Sequence, residues 1–192
     1  MVKHKKHIAI ASILIVAVLL ILVLISSITY WFQAKGATDI VIANHIMQLH
    51  AVFKKINDDA GIVDFDHQKN YIDFLNVKSF AGSEVGSMNL AYPDKWQGPY
   101  LKENPTVQEK NYQVVRTKKG FFIVPGDGVK LSNGKIIGKD IIMDENADIP
   151  AMIADQKMLN FKGKPLAAAV PMSKVGKSTS FQEWSSDALD VG

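Results

Sequence analysis

Residues 38–57 read TDIVIANHIMQLHAVFKKIN, and this stretch decides the predicted fold. Apolar side chains recur in it at intervals of four, three, four and three residues, which is the repeat of one face of an α-helix. We predict a helix that Thr38 or Asp39 caps and that ends at the turn 58–61. The side chains that form the apolar stripe are Ile42, Ile46, Leu49, Phe53 and Ile56.

Two interpretations of this stripe stay open. In the first, it packs against the domain's own sheet and belongs to the hydrophobic core. In the second, Ile42, Leu49 and Phe53 are interaction residues that pack against the helix of another subunit.

On the N-terminal side, residues 8–32 read IAIASILIVAVLLILVLISSITYWF and contain no charged side chain. A helix of about 20 apolar residues crosses a bilayer. We therefore predict a transmembrane helix over residues 8–32, although a cleavable secretory signal is the alternative. The side chains expected to pack with like helices are Val16, Leu20 and Val23.

Charges near this stretch predict its orientation. Lys3, Lys5 and Lys6 precede it, whereas only Lys35 follows closely. By the positive-inside rule, residues 1–7 form a cytoplasmic basic stub and residues 37–172 form an exported globular domain. In a bacterium, this domain would lie in the periplasm, anchored by one pass through the inner membrane.

Composition excludes several classes of function. The net charge of +3 equals the contribution of the three N-terminal lysines, so no basic face for nucleic acid is expected. The chain has no cysteine, which excludes disulfides and thiolate chemistry. No nucleophile, base and acid occur at catalytic spacing, and neither an enzyme nor a small-molecule substrate is inferred.

On the C-terminal side, the apolar repeat changes from a helical to a strand period. Residues 112–117 and 121–124 flank a turn and predict a β-hairpin, and Asn133-Gly134 predicts a second one. We also predict short helices over 65–75 and 149–160, an irregular connector over 76–111, a strand over 167–170 and a mobile polar tail over 173–192. The predicted fold is α+β, with a long transmembrane-plus-amphipathic helix packed on a small antiparallel sheet.

A six-residue segment, Trp96-Gln97-Gly98-Pro99-Tyr100-Leu101, resembles the Trp-x-Gly-Pro-Tyr-Leu segment of type II secretion pseudopilins and related type IV pilins. The layout of residues 8–145 is similar to theirs as well. The usual leader glycine and the glutamate of the span do not occur here: no glycine precedes Gly36, and residues 8–32 contain no glutamate.

The resemblance implies a pilin-like roll and a structural subunit of a secretion or pilus machine. Its partners would be the membrane and like subunits or other components of that machine. Trp96, Gly98, Pro99 and Tyr100 would close the junction of helix and sheet or form a binding patch. A tethered periplasmic binding module that does not polymerise is the alternative function.

An acidic turn over residues 144–148 is the one candidate for a cofactor. Asp144, Asn146 and Asp148 match the first three ligand positions of a calcium-binding EF-hand loop. Ile149 stands where that loop requires glycine, so a looser calcium site or a solvated turn is expected. No other cofactor is inferred.

Overall fold

The computed structural model describes the backbone of residues 2–172 and the side chains of residues 16–27 and 36–172. The predicted mobile tail, 173–192, lies outside the described residues, as do the side chains of residues 1–15 and 28–35. The chain divides into two compact units, Met1–Thr38 and Asp39–Gly192.

The described chain contains two α-helices, ten short strands and two 3-10 turns. The helices are α1 (Val2–Ala60) and α2 (Ile149–Ala154), and the 3-10 turns are Asp73–Asn76 and Pro93–Lys95. The strands are β1 (Ile62–Phe65), β2 (Lys69–Tyr71), β3 (Glu84–Val85), β4 (Met88–Leu90), β5 (Thr106–Val107), β6 (Lys110–Thr117), β7 (Gly120–Pro125), β8 (Asn160–Phe161), β9 (Lys164–Pro165) and β10 (Ala168–Ala169).

The strands form three antiparallel sheets. The largest has the order β10-β7-β6-β2, with β5 also paired to β6. A second sheet has the order β1-β4-β3, and β8 pairs with β9 in the third. Long pairing is confined to β6 and β7, which run together from Tyr112 opposite Pro125 to Thr117 opposite Gly120.

The core of the second unit lies between the inward face of α1 and the sheets. All five residues of the predicted stripe are buried, so the helix supplies one continuous apolar ridge. Phe53 contacts Phe65 and Phe74 edge to face, with ring centroids 6.3 and 6.1 Å away. Phe65 in turn lies 5.1 Å from Phe121 on β7, so this aromatic cluster joins the helix to two sheets.

The fold class predicted from the sequence is wrong in two respects. Within residues 16–27 and 36–172, no helix is long and apolar enough to cross a membrane, and the predicted span extends over side chains that are not described. In addition, the body is mostly sheet and is built from three sheets instead of one small one. The chain remains α+β.

Several local predictions can also be compared with the structure. The hairpin over 112–124 is confirmed, and a strand lies within 167–170. The helix over 65–75 is wrong: the end of β1, β2 and a 3-10 turn occupy that region, because Lys69–Tyr71 pairs with residues 113–115 of β6. The connector 76–111 contains three strands, and α2 ends at Ala154 instead of near residue 160.

Candidate functional site

One exposed face of α1 lacks charge over residues 40–53, which we call the uncharged segment. These fourteen residues contain no Asp, Glu, Lys or Arg. Three large apolar side chains are exposed there, with Ile40 at 43%, Val41 at 41% and Met47 at 69%. Helical spacing places Ile40, Asn44 and Met47 on one face. An outward face of this kind is suited to contact with another apolar surface.

The next turns of the same helix, residues 54–60, carry charge and are called the charged turn. Lys54 forms an ion pair with Asp58 at 2.6 Å, and Lys55 forms one with Asp59 at 2.6 Å. Both pairs join residues four apart on a helix, the spacing at which opposite charges meet. The hydrogen bond and charge of Asp59 raise the pKa of Lys55, so Lys55 stays protonated at neutral pH.

The segment Trp96–Tyr100 closes over the end of α1. Trp96 donates a hydrogen bond from Nε1 to the Val77 carbonyl at 3.1 Å, and its ring lies 4.8 Å from that of Tyr100. The backbone N–H of Tyr100 donates to the Leu75 carbonyl at 2.9 Å. The Gly98–Pro99 peptide bond is cis. These half-buried aromatic rings therefore have structural partners within the domain.

Gly98 is required by the close approach of its neighbours. A Cβ at this position would lie 2.4 Å from Trp96 Nε1 and 2.4 Å from the Val77 carbonyl oxygen. These distances are far shorter than ordinary contacts, and one of the two atoms belongs to the backbone. The indole can donate to this carbonyl only because residue 98 has no side chain.

The charged turn contacts this segment directly. Lys55 Nζ donates to Gln97 Oε1 at 3.2 Å and lies 5.9 Å from the Tyr100 ring centroid. Burial raises the pKa of Tyr100, so its hydroxyl stays protonated. Beside these residues is an open polar cleft of about 390 Å³. Its lining comprises Asp58, Asp59, Asp94, Lys95, Trp96 and Gln97.

The helix residues predicted for interaction lie elsewhere. Ile42, Leu49 and Phe53 are fully buried in the core of their own domain. The packing that the structure shows for them is intramolecular, as in the first interpretation of the stripe. The exposed apolar side chains nearest to Ile42 are instead Ile40 and Val41, which precede it by two positions and one position.

The acidic turn holds its oxygens in local hydrogen bonds. Asp144 Oδ1 accepts from the backbone N–H of Asn146 at 2.9 Å. Asp148 caps α2 by accepting from the Ala151 N–H at 3.1 Å, and its other oxygen pairs with Lys119. These contacts lower the pKa of Asp148, with the Lys119 hydrogen bond as the larger cause.

Among the described residues, no three His, Cys, Asp or Glu side chains converge on a point where a metal ion could bind. The structure thus brings no further carboxylate or imidazole to Asp144, Asn146 and Asp148. Calcium binding at this turn stays a prediction.

An apolar groove lies between the uncharged segment and the C-terminal strands. Its volume is about 410 Å³. Apolar side chains of α1, β9 and β10 line it together with three polar ones: Ala43, Asn44, Ile46, Met47, His50, Lys164, Pro165 and Ala168. The helical pattern of residues 38–57 did not reveal this groove, because its other wall is formed by residues more than 110 positions away.

Two buried polar contacts were also missed from the sequence. Asp39 was predicted as a helix cap, but it lies inside α1, is buried, and accepts hydrogen bonds from the Ser132 N–H at 3.0 Å and from the Ser132 hydroxyl. His45 Nδ1 lies 3.1 Å from the buried Tyr112 hydroxyl. Asp39 precedes Ile42 by three residues, and this spacing is the signal that places it on the inward face.

The comparisons with known proteins give no relative for this arrangement: no family model, no curated protein and no solved structure matches the chain.

Proposed function

We propose that this protein is a non-enzymatic structural subunit, of the pilin or pseudopilin type, that assembles through α1. The observation that carries the proposal is the exposed face of the uncharged segment. Ile40 and Val41 lie on α1, whose opposite face is packed in the core. A partner that binds these two side chains is therefore held rigidly to the domain. Contact with an apolar surface would remove both side chains from water.

Two further features support the same function. Trp96–Tyr100 forms an aromatic plug beside the charged turn, the role that the resemblance implies for this segment. In the first unit, all described side chains of residues 16–27 are exposed, and apart from Ser26 and Ser27 they are apolar. Anchoring in the bacterial inner membrane by residues 8–32, with a periplasmic domain, stays a prediction.

The test compares assembly of the full chain with that of charge variants. Ile40→Lys and Val41→Lys place an ammonium group on the exposed face, which an apolar contact cannot accommodate without a large desolvation cost. We expect at least a tenfold loss of self-association, or of incorporation into a filament, when the chain is expressed with a prepilin peptidase and assembly machinery.

The matched control is Ile142→Lys. Ile142 is 49% exposed, so the control makes the same chemical change on another exposed surface of the domain. Equal assembly of all three variants and the unmodified chain would disprove the proposal.

A tethered binding module that does not polymerise is the second candidate. The open polar cleft beside Trp96 favours it, because carboxylates, an ammonium group and an aromatic edge meet there. A monomeric full chain that retains a partner only when Asp94 and Gln97 are unchanged would support this function instead.

A further inference from the structure

The groove beside the uncharged segment is large enough for an aromatic side chain. Its volume is about 410 Å³. Phe and Trp side chains bury roughly 150–250 Å² each and contribute most to apolar contacts of this kind. Met47, which lines the groove, is 69% exposed, so an occupant would cover a large flexible side chain.

The chain itself supplies aromatic side chains shortly after the groove residues in the sequence. Ala168 lines the groove, and the described residues end four positions later, at Met172. Residues 173–192 follow, and they contain Phe181 and Trp184. Phe181 lies nine positions after Met172, and an extended chain covers up to roughly 3.3–3.6 Å per residue. A reach of about 30 Å is sufficient to return to the groove.

Charge favours the same occupant. Lys164 lines the groove and has no ion pair with any residue whose side chain the structure describes. Glu183 lies between the two aromatic residues of the C-terminal segment, and Asp187 follows shortly after. Residues 181–192 carry three carboxylates and no basic side chain, so this stretch with its two aromatic anchors complements an apolar groove with a lysine at its side.

We propose that residues 173–192 bind in this groove of the same molecule, with Phe181 and Trp184 against its apolar lining and Glu183 near Lys164. The segment covers Asn44 and Met47 of the exposed face of the uncharged segment, whereas Ile40 and Val41 do not line the groove. This binding does not depend on the proposed assembly function.

Cysteine cross-linking tests the proposal directly, because the natural chain has no cysteine. The full chain carries Met47→Cys together with Ser185→Cys, and the rate of disulfide formation under mild oxidation is measured by mass spectrometry of the peptides. The matched control pairs Ser185→Cys with Ile142→Cys, which is also exposed but does not line the groove. We expect the first pair to close at least ten times faster, within one molecule.

Adding Phe181→Ser and Trp184→Ser to the first pair should reduce its rate to that of the control. Equal rates for the two pairs without these changes would overturn the proposal. Disulfides that join two chains, at a rate that rises with protein concentration, would overturn it as well, because the groove would then take a second copy.

Discussion

The uncharged segment and the charged turn belong to one helix and share one inward stripe, but their outward faces differ. Around residues 40–48, exposed positions carry Ile, Val, Met and uncharged amides, whereas at residues 54–59 they carry lysines and aspartates in ion pairs. Packing in the core cannot explain this change, since the buried face is apolar throughout. The difference indicates that the uncharged segment is the better suited of the two to contact with an apolar surface.

The largest effect is expected from substitutions in the buried apolar stripe, which the two regions share. Phe53→Ala and Ile56→Ala each empty a fully buried position, one in each region. Loss of burial and the cavity left behind should cost about 3–5 kcal/mol for Phe53 and about 2–5 kcal/mol for Ile56. Urea unfolding of the full chain measures both. A cost below about 1 kcal/mol at either position would show that the inward stripe is not continuous.

A smaller effect is expected where the charged turn meets the Trp96 segment. Gly98→Ala forces a Cβ against the Trp96 indole and the Val77 carbonyl, and overpacking of this kind costs about 1–3 kcal/mol. The same unfolding measurement applies. Gln97→Ala is the control, because it removes only the exposed hydrogen bond from Lys55 and should change stability far less.

The third prediction concerns pH and the uncharged segment. Burial lowers the pKa of His45 below 6.5, so the unfolded chain binds this proton more readily than the folded one. The contribution of His45 to stability is therefore complete above pH 6.5 and is lost as the pH falls through the lowered pKa. We measure the free energy of unfolding at about pH 7.5 and about pH 5.5. Its decrease between the two pH values should be smaller for His45→Gln than for the unmodified chain. His50→Gln serves as the control, and its free energy of unfolding should decrease with falling pH as much as that of the unmodified chain.

The smallest effect is expected from the loss of one exposed ion pair in the charged turn. Lys54→Ala removes an exposed ion pair four residues apart, which is worth about 0.3–0.5 kcal/mol. Salt screens such pairs, so the difference between variant and unmodified chain should shrink in about 1 M NaCl. A larger and salt-independent loss would mean that Lys54 makes a contact beyond Asp58.

Local patterns predicted those parts of the fold that local contacts determine. The stripe from Ile42 to Ile56 is buried, and the hairpin around Lys118 forms, because helical spacing and a tight turn are encoded within a few residues. Residues 65–75 were wrongly predicted as a helix because the pairing of β2 with β6 joins Asn70 to Val114, which lies 44 residues further along the chain. No periodicity within the segment contains that information.

The candidate site shows the same division. The positions of Trp96 and Tyr100 as half-buried rings follow from the sequence Gly98-Pro99 between them, which forces a turn. The groove could not be predicted, since its walls come from residues near 46 and near 166. The sequence indicated a cap at Asp39 because nothing near it reveals its actual partner, Ser132, which lies 93 residues away.

The hydrogen bonds between Asp39 and Ser132 can form only after the ribosome has synthesised both residues. A ribosome adds about 5–20 residues per second, so roughly 5–20 seconds pass between the two residues. The five-stranded sheet waits longer still, because β10 pairs at the edge opposite β2. Early in this interval, before the strands from β1 to β7 have been synthesised, Ile42 and Phe53 have no sheet to cover them. An apolar ridge that is exposed in this way favours aggregation of the nascent chain.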